Sequence, residues 1–229
     1  MIGIIGAMEI EVEKIREQIT DGKMTSKAGM EFYTGTLYGK EVTVVRSGVG
    51  KVNAGICTQI LIDLFQADAI INTGIAGSLK NEINIGDIVL STDALQHDVD
   101  ASGFGYAPGV IPQMKESVFQ GDKHLIELAE KCQKVCPKIH FFKGRVISGD
   151  QFISDKKKKE QLAKDFQGFC TEMEGAAIAQ AAYLNQVPFL IVRAISDKAD
   201  DSAAMDYPAF EAMAVENSVK LLSAMVQSM

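Results

Sequence analysis

The stretch VPFLIVRAISD, residues 187–197, places an apolar run, broken only by Arg193, directly ahead of Ser196 and Asp197. A run of this length, Phe189 to Ile195, reads as a strand buried on both faces, the kind a helix-covered sheet requires. Helical periods flank it near 173–186 and 208–226. The same alternation of strand and helix returns on working outward. Ile2 to Ile5 is a short apolar strand ended by Gly6, and from Glu9 the positions Val12, Ile15 and Ile19 follow helical spacing. Residues 31–37 and 41–47 are strand-like runs joined by Tyr38-Gly39-Lys40, a hairpin that makes the sheet mixed. Lys51 to Phe65 is helical by period, Ala69 to Thr73 is a buried strand, and Gly74 to Gly77 reads as a sharp glycine turn. Further strands are expected at Asp87 to Ser91 and Phe142 to Ser148, with helices near 122–134 and 156–165. On the last helix Phe210, Met213, Ala214, Leu221, Ala224 and Met225 form one core-facing stripe. The expected fold is α/β, a three-layer α/β/α sandwich with a mixed central sheet, in one domain over residues 1–229.

Composition narrows the function. Apolar residues make up 47% of the chain, enough for a sizeable core, yet no apolar run approaches the roughly 20 residues of a membrane span. The N-terminal apolar run has no basic segment before it and acids right after it, so no signal peptide is expected and the location is cytoplasmic. A formal charge of −7 argues against nucleic acid as partner and for a small substrate. The basic run Lys156 to Lys159 reads as a solvated helix start. Cys57, Cys132, Cys136 and Cys170 read as reduced thiols, because Cys132/Cys136 lacks the second ligand pair of a zinc site. His97, His124 and His140 lack metal-ligand spacing, so neither metal nor cofactor is expected. SGVGKVNAG at 47–55 fails as a P-loop, with Val52 in place of the required Ser/Thr. The loop from Gln96 to Gln113 is long and poor in pattern, as functional lids and interfaces are.

Three acids stand where strand ends deliver chemistry: Glu11 past the first strand, Glu174 at a helix start, and Asp197 with Arg193 and Ser196 on the buried strand. Each also has a local structural explanation. Asp197 suits an Asx turn, Thr171 to Glu174 suits a capping box with Thr171 at N-cap and Glu174 at N3, and Glu11 suits the first turn of a helix.

Together with their surroundings they resemble a family. GAMEIEV (6–12), SGVGKVNA (47–54), INTGIAG (71–77), HDVDASGFGY (97–106), SGDQFIS (148–154), EMEGAAIAQ (172–180) and VPFLIVRAISD (187–197) are similar, in order, to successive blocks of the 5′-methylthioadenosine/S-adenosylhomocysteine nucleosidases, within the purine nucleoside phosphorylase superfamily. The resemblance implies a phosphorylase/hydrolase-like fold and hydrolysis of the N-glycosidic bond of 5′-thioadenosine nucleosides, and 5′-deoxyadenosine is a further candidate substrate. It implies that Glu11 activates water, Asp197 protonates adenine N7 and Glu174 holds the ribose hydroxyls. It further sets Phe152 on the adenine face, the Ile153 backbone at the base edge and Met173 against the ribose, within a site that also includes Ala76 and Gly77. Met8, Val49, Ala101, Phe104 and Tyr207 would line the 5′-thio pocket, and Pro112 would come from a neighbouring subunit of a homodimer. Water is favoured over phosphate because the arginine common before the glycine turn of the phosphorylases is absent, that region reading Ile71-Asn72-Thr73-Gly74, and because Glu9 and Glu11 repel phosphate.

The chain departs from the family pattern at Ile75, where serine is usual, and at Tyr207, where phenylalanine is usual. The loss of a hydroxyl at 75 leaves two alternatives open: a relative with altered substrate choice, phosphorylases included, or a nucleoside-binding paralogue without catalysis.

Overall fold

Residues on the central strands alternate between two apolar layers, which is why their sequences are apolar throughout rather than every second position. In the computed structural model, which describes residues 1–229 and the side chains of all but Ala204 and Met205, Leu190, Val192 and Ala194 join one core while Phe189, Ile191 and Ile195 join the other. These belong to the last strand of a ten-stranded mixed sheet. In chain order the elements are β1 (Ile2–Gly6), α1 (Glu9–Arg16), β2 (Thr20–Lys27), β3 (Met30–Leu37), β4 (Lys40–Arg46), α2 (Lys51–Phe65), β5 (Ala69–Ser78), β6 (Ile88–Gln96) and β7 (Phe119–Gln120). There follow α3 (Lys123–Cys132), β8 (Phe141–Ser148), α4 (Lys156–Phe166), β9 (Cys170–Glu172), α5 (Gly175–Leu184), β10 (Phe189–Asp197) and α6 (Ala203–Ser228).

The strand order is β10-β6-β8-β9-β5-β1-β4-β3-β2, and β10 also pairs with β5, so β5, β9, β8, β6 and β10 close into a ring while β1 to β4 extend from it as an open wing. β1 runs parallel to β4 and β5, and β5 parallel to β10, which brings four carboxyl ends to one edge. Helices α1, α3 and α6 pack on one face and α2 with α5 on the other, giving the expected three layers.

Several expectations are corrected. Gly74 to Gly77 is not a turn: β5 runs straight through it, paired with β10 on one side and with β9 at its end. The glycines are there for room. A Cβ on Gly74 would collide with Arg193 Nη1 and sit 2.6 Å from Glu11 Oε1, and one on Gly77 would sit 2.7 Å from Asp197 Oδ1. Helix α1 stops at Arg16, before Ile19, and the chain enters β2, a polar edge strand without the apolar alternation by which a strand is recognised. Helix α6 begins at Ala203 rather than at Pro208, its first turn tied by Asp206 N–H to the Ser202 carbonyl and by the Ser202 hydroxyl to the Asp206 carboxylate. Phe210 and Met213 leave the core stripe and are exposed, whereas Ala214, Leu221 and Met225 are fully buried. Of the expected stripe, the buried part therefore begins at Ala214.

Candidate active site

The carboxyl ends of β1, β5 and β10 open into a cavity of about 430 Å³. Its walls are apolar side chains, Met8, Val49, Ile75, Phe152, Met173 and Tyr207, interrupted by the carboxylates Glu11, Glu172, Glu174 and Asp197. An apolar pocket with a few convergent polar groups is the usual form of a small-molecule site. No lysine, arginine or histidine lines it among the described residues.

Glu11 sits one turn into α1, and its carboxylate folds back over the start of the helix. Oε2 accepts the N–H groups of Ala7 (2.7 Å) and Met8 (2.9 Å), and Oε1 accepts that of Ile75 across the sheet (3.2 Å). Complete burial pushes its pKa up, against the Arg193 charge and these three N–H donors, which favour the anion. Asp197 stands where β10 bulges between Ile195 and Asp197, a device that re-aims a side chain at a strand end. Its Oδ1 accepts the Ala199 N–H (2.7 Å) and its Oδ2 the Ser196 hydroxyl (2.9 Å). Burial again raises the pKa, and Asp206 and Asp200 add to the rise. Both carboxyls are therefore displaced upward by burial, Glu11 against three N–H donors and the Arg193 charge, Asp197 against the Ala199 N–H and the Ser196 hydroxyl.

Glu174 is held from two sides. Its Oε1 accepts the Gly50 N–H (2.8 Å), which φ of +99° at Gly50 aims into the cavity, and its Oε2 lies 3.7 Å from Arg193 Nη2. Burial first, then the neighbouring Glu172 charge, push its pKa up to about 7. Arg193 itself is fully buried behind the cavity, bound to Glu172 and to Asn72 Oδ1 (2.6 Å). A buried guanidinium persists only with such partners.

The sequence-expected residues thus divide. Met8, Glu11, Val49, Ile75, Ala76, Gly77, Phe152, Ile153, Met173, Glu174, Ser196, Asp197 and Tyr207 all come to one cavity, and Arg193 stands behind it. Ala101, Phe104 and Pro112 do not reach it, and Phe104 is 87% exposed on its short 3₁₀ turn. The expected capping box at 171–174 does not form. Glu174 is itself the N-cap of α5 without a side-chain cap bond, while Glu172 accepts the N–H groups of Glu174 (3.1 Å) and Gly175 (2.8 Å). Glu172 was missed as a site residue, as were Asn72 and Ser148, whose hydroxyl bonds Glu172 and accepts the Ala176 N–H (2.7 Å). The signal for Glu172 was Arg193, since a cation inside an apolar strand demands a buried carboxylate.

A sequence profile of the phosphorylase superfamily matches residues 1–227. A 5′-methylthioadenosine/S-adenosylhomocysteine nucleosidase of Halalkalibacterium halodurans is 45% identical over 226 residues, 98% of this chain and 97% of its own. The chain belongs to this superfamily and to its nucleosidase family. Among solved structures, the methylthioadenosine/S-adenosylhomocysteine nucleosidase of Neisseria meningitidis, in complex with methylthio-immucillin-A, matches at TM-score 0.96 and 38% identity over 100% of this chain and 99% of its own. The futalosine hydrolase of Helicobacter pylori matches at TM-score 0.95 and 34% identity over 100% and 97%. Structures named for both a methylthioadenosine/S-adenosylhomocysteine nucleosidase and a futalosine hydrolase thus share this fold over the whole length of the chain.

Proposed function

We propose that this nucleosidase hydrolyses the N-glycosidic bond of 5′-methylthioadenosine and S-adenosylhomocysteine, releasing adenine and a 5′-thio-substituted ribose. The observation that carries the proposal is the presence of Glu11 and Asp197 in the wall of one cavity that no cation lines among the described residues. A phosphorolytic enzyme needs cations to hold its nucleophile, whereas water needs only a base.

Cleavage passes through an electron-poor, oxocarbenium-like ribose. Asp197, whose pKa burial and its acidic neighbours raise, donates its proton to adenine N7, so that the base leaves neutral. Glu11, anchored by three backbone N–H groups, takes a proton from water as it adds to the anomeric carbon. Glu174 accepts from the ribose hydroxyls, and its partner Gly50 N–H fixes it. Phe152, edge-on to Tyr207 with ring centroids 5.8 Å apart, covers the adenine face; the Ile153 backbone meets the base edge and Met173 the sugar. Met8, Val49 and Tyr207 surround the 5′ sulfur. Ile75 does not remove the chemistry, because its contribution to Glu11 is its backbone N–H.

A second copy of the chain completes the site. Phe104 is exposed, and Val52, Ile56 and Leu64 leave an apolar strip on α2 with Leu184 on α5 beside it, more than isolated surface residues. In a homodimer the partner's 97–113 loop carries Ala101, Phe104 and Pro112 to the 5′ end. The reaction serves methionine salvage in the cytoplasm, where the four buried cysteines remain thiols. Identification of the sugar formed from methylthioadenosine in phosphate buffer tests the reading. Free methylthioribose is expected; the 1-phosphate would assign the chain to the phosphorylases instead.

A further inference from the structure

A second cavity of about 450 Å³ adjoins the first and shares Ala7, Met8 and Val49 with it. The two differ in character. Beyond the shared wall the lining is polar, with Glu9 at the start of α1, Arg46 at the end of β4 and Asn53 on α2. Glu9 has one oxygen committed, Oε1 lying 2.5 Å from Arg16 Nη2, while Oε2 stands 3.7 Å from Arg46 Nε, too far for a hydrogen bond. Among the described residues the Arg46 guanidinium donates no hydrogen bond, and its side chain is 57% exposed. Asn53 donates to the Val49 carbonyl (2.7 Å) and keeps its Oδ1 for a donor. The cavity thus presents a guanidinium held only by a loose 3.7 Å ion pair to Glu9, a carboxylate with one oxygen free of hydrogen bonds and an amide oxygen within one mouth. A ligand that satisfies all three carries both charges, a carboxylate for the fork of Arg46 and an ammonium for Glu9 and Asn53.

We propose that this cavity binds the α-amino-acid end of a long 5′-thio substituent. The assignment rests on the nucleoside reading above, in which the 5′ sulfur lies against Met8 and Val49. Those two side chains are the partition between the cavities, so an alkyl chain leaving the sulfur past them enters the charged one. The methyl of methylthioadenosine ends at the partition and never reaches Arg46. The homocysteine chain of S-adenosylhomocysteine continues through and delivers its zwitterion. Arg46 and Glu9 are specificity residues by this account: they set the preference between the two substrates and take no part in bond cleavage. Because both are partly exposed, their contribution is screened by salt.

The test compares the two nucleosides on Arg46→Met and Glu9→Gln. KM for S-adenosylhomocysteine is expected to rise about three- to tenfold in each, the range for a partly solvated charged contact, with kcat and the methylthioadenosine parameters unchanged. Raising ionic strength should raise the wild-type KM for S-adenosylhomocysteine more than that for methylthioadenosine, and should do so less in the Arg46→Met protein. The same pair of ligands titrated against Asp197→Asn protein, with Arg46 intact or replaced, gives the binding difference even where no turnover occurs. That arm separates a failure of the amino-acid site from a failure of the nucleosidase reading. Equal losses for both nucleosides, or no loss for S-adenosylhomocysteine, would overturn the proposal.

Discussion

At the scale of single residues, Glu11 and Asp197 are alike in type and burial and differ in what surrounds them. Asp197→Asn removes the proton that adenine needs and is expected to lower kcat by about 10²–10⁴-fold with little change in KM, as measured by steady-state adenine release. The raised pKa values set the pH profile. A base must be ionised, so the rate falls as pH drops through the raised pKa of Glu11. An acid must be protonated, so the rate falls as pH rises through that of Asp197. The residual activity of Asp197→Asn should therefore lose the alkaline limb and keep the acid one. Ile75 shows where residue identity misleads. Its side chain is 7% exposed and packs in the core that includes Val12 and Ala214, while its N–H serves Glu11. Ile75→Ser is expected to cost about 2–5 kcal/mol in denaturant unfolding through lost packing, with adenine release retained because the backbone donor stays.

At the scale of elements, the site depends on how strands end and how α5 begins. Glu172 joins two such tasks: it caps α5 and neutralises Arg193 from β10. Glu172→Ala leaves a fully buried guanidinium short of its main partner and should destabilise the fold by about 3–5 kcal/mol, read as a lowered denaturation midpoint. Glu174 acts in the opposite sense. Its folded pKa, about 7, lies above the ordinary 4.5, so the folded state holds a proton that the unfolded chain has released between those values. Stability from this group is full below about pH 4.5 and is lost as pH rises to 7. The ligand-free protein should lose melting temperature over that window, and Glu174→Gln should flatten the loss. The elements themselves were largely legible, because two-sided burial writes continuous apolar runs and helices write their period. What failed was local chemistry decided by distant groups. The glycines at 74 and 77 looked like a turn, yet they make space for Arg193, Glu11 and Asp197 from other strands. The apparent capping box at 171–174 gave way to Glu172, whose bond to Arg193 no local pattern encodes.

At the scale of the whole molecule, the parallel alignment of β1, β4, β5 and β10 gathers residues from position 8 to position 207 at one edge. Six of the seven family blocks recognised in the sequence meet there, which is why twelve of the thirteen expected lining residues found in the cavity, all but Tyr207, come from those blocks. Ala101, Phe104 and Pro112 do not; in the homodimer proposed above, their loop would serve the neighbouring subunit's cavity instead of its own. Truncating that interface, for instance Phe104→Ala, should raise KM for methylthioadenosine while the mass in solution remains that of a dimer; a monomeric wild type would remove the partner from the account. The central claim is that water, activated by Glu11, displaces adenine protonated by Asp197. It is tested most directly by adenine release from methylthioadenosine in phosphate-free buffer, for the wild type and for Asp197→Asn. Rapid release that collapses in the variant is the predicted result; no release without phosphate, or release that survives the substitution unchanged, would contradict it.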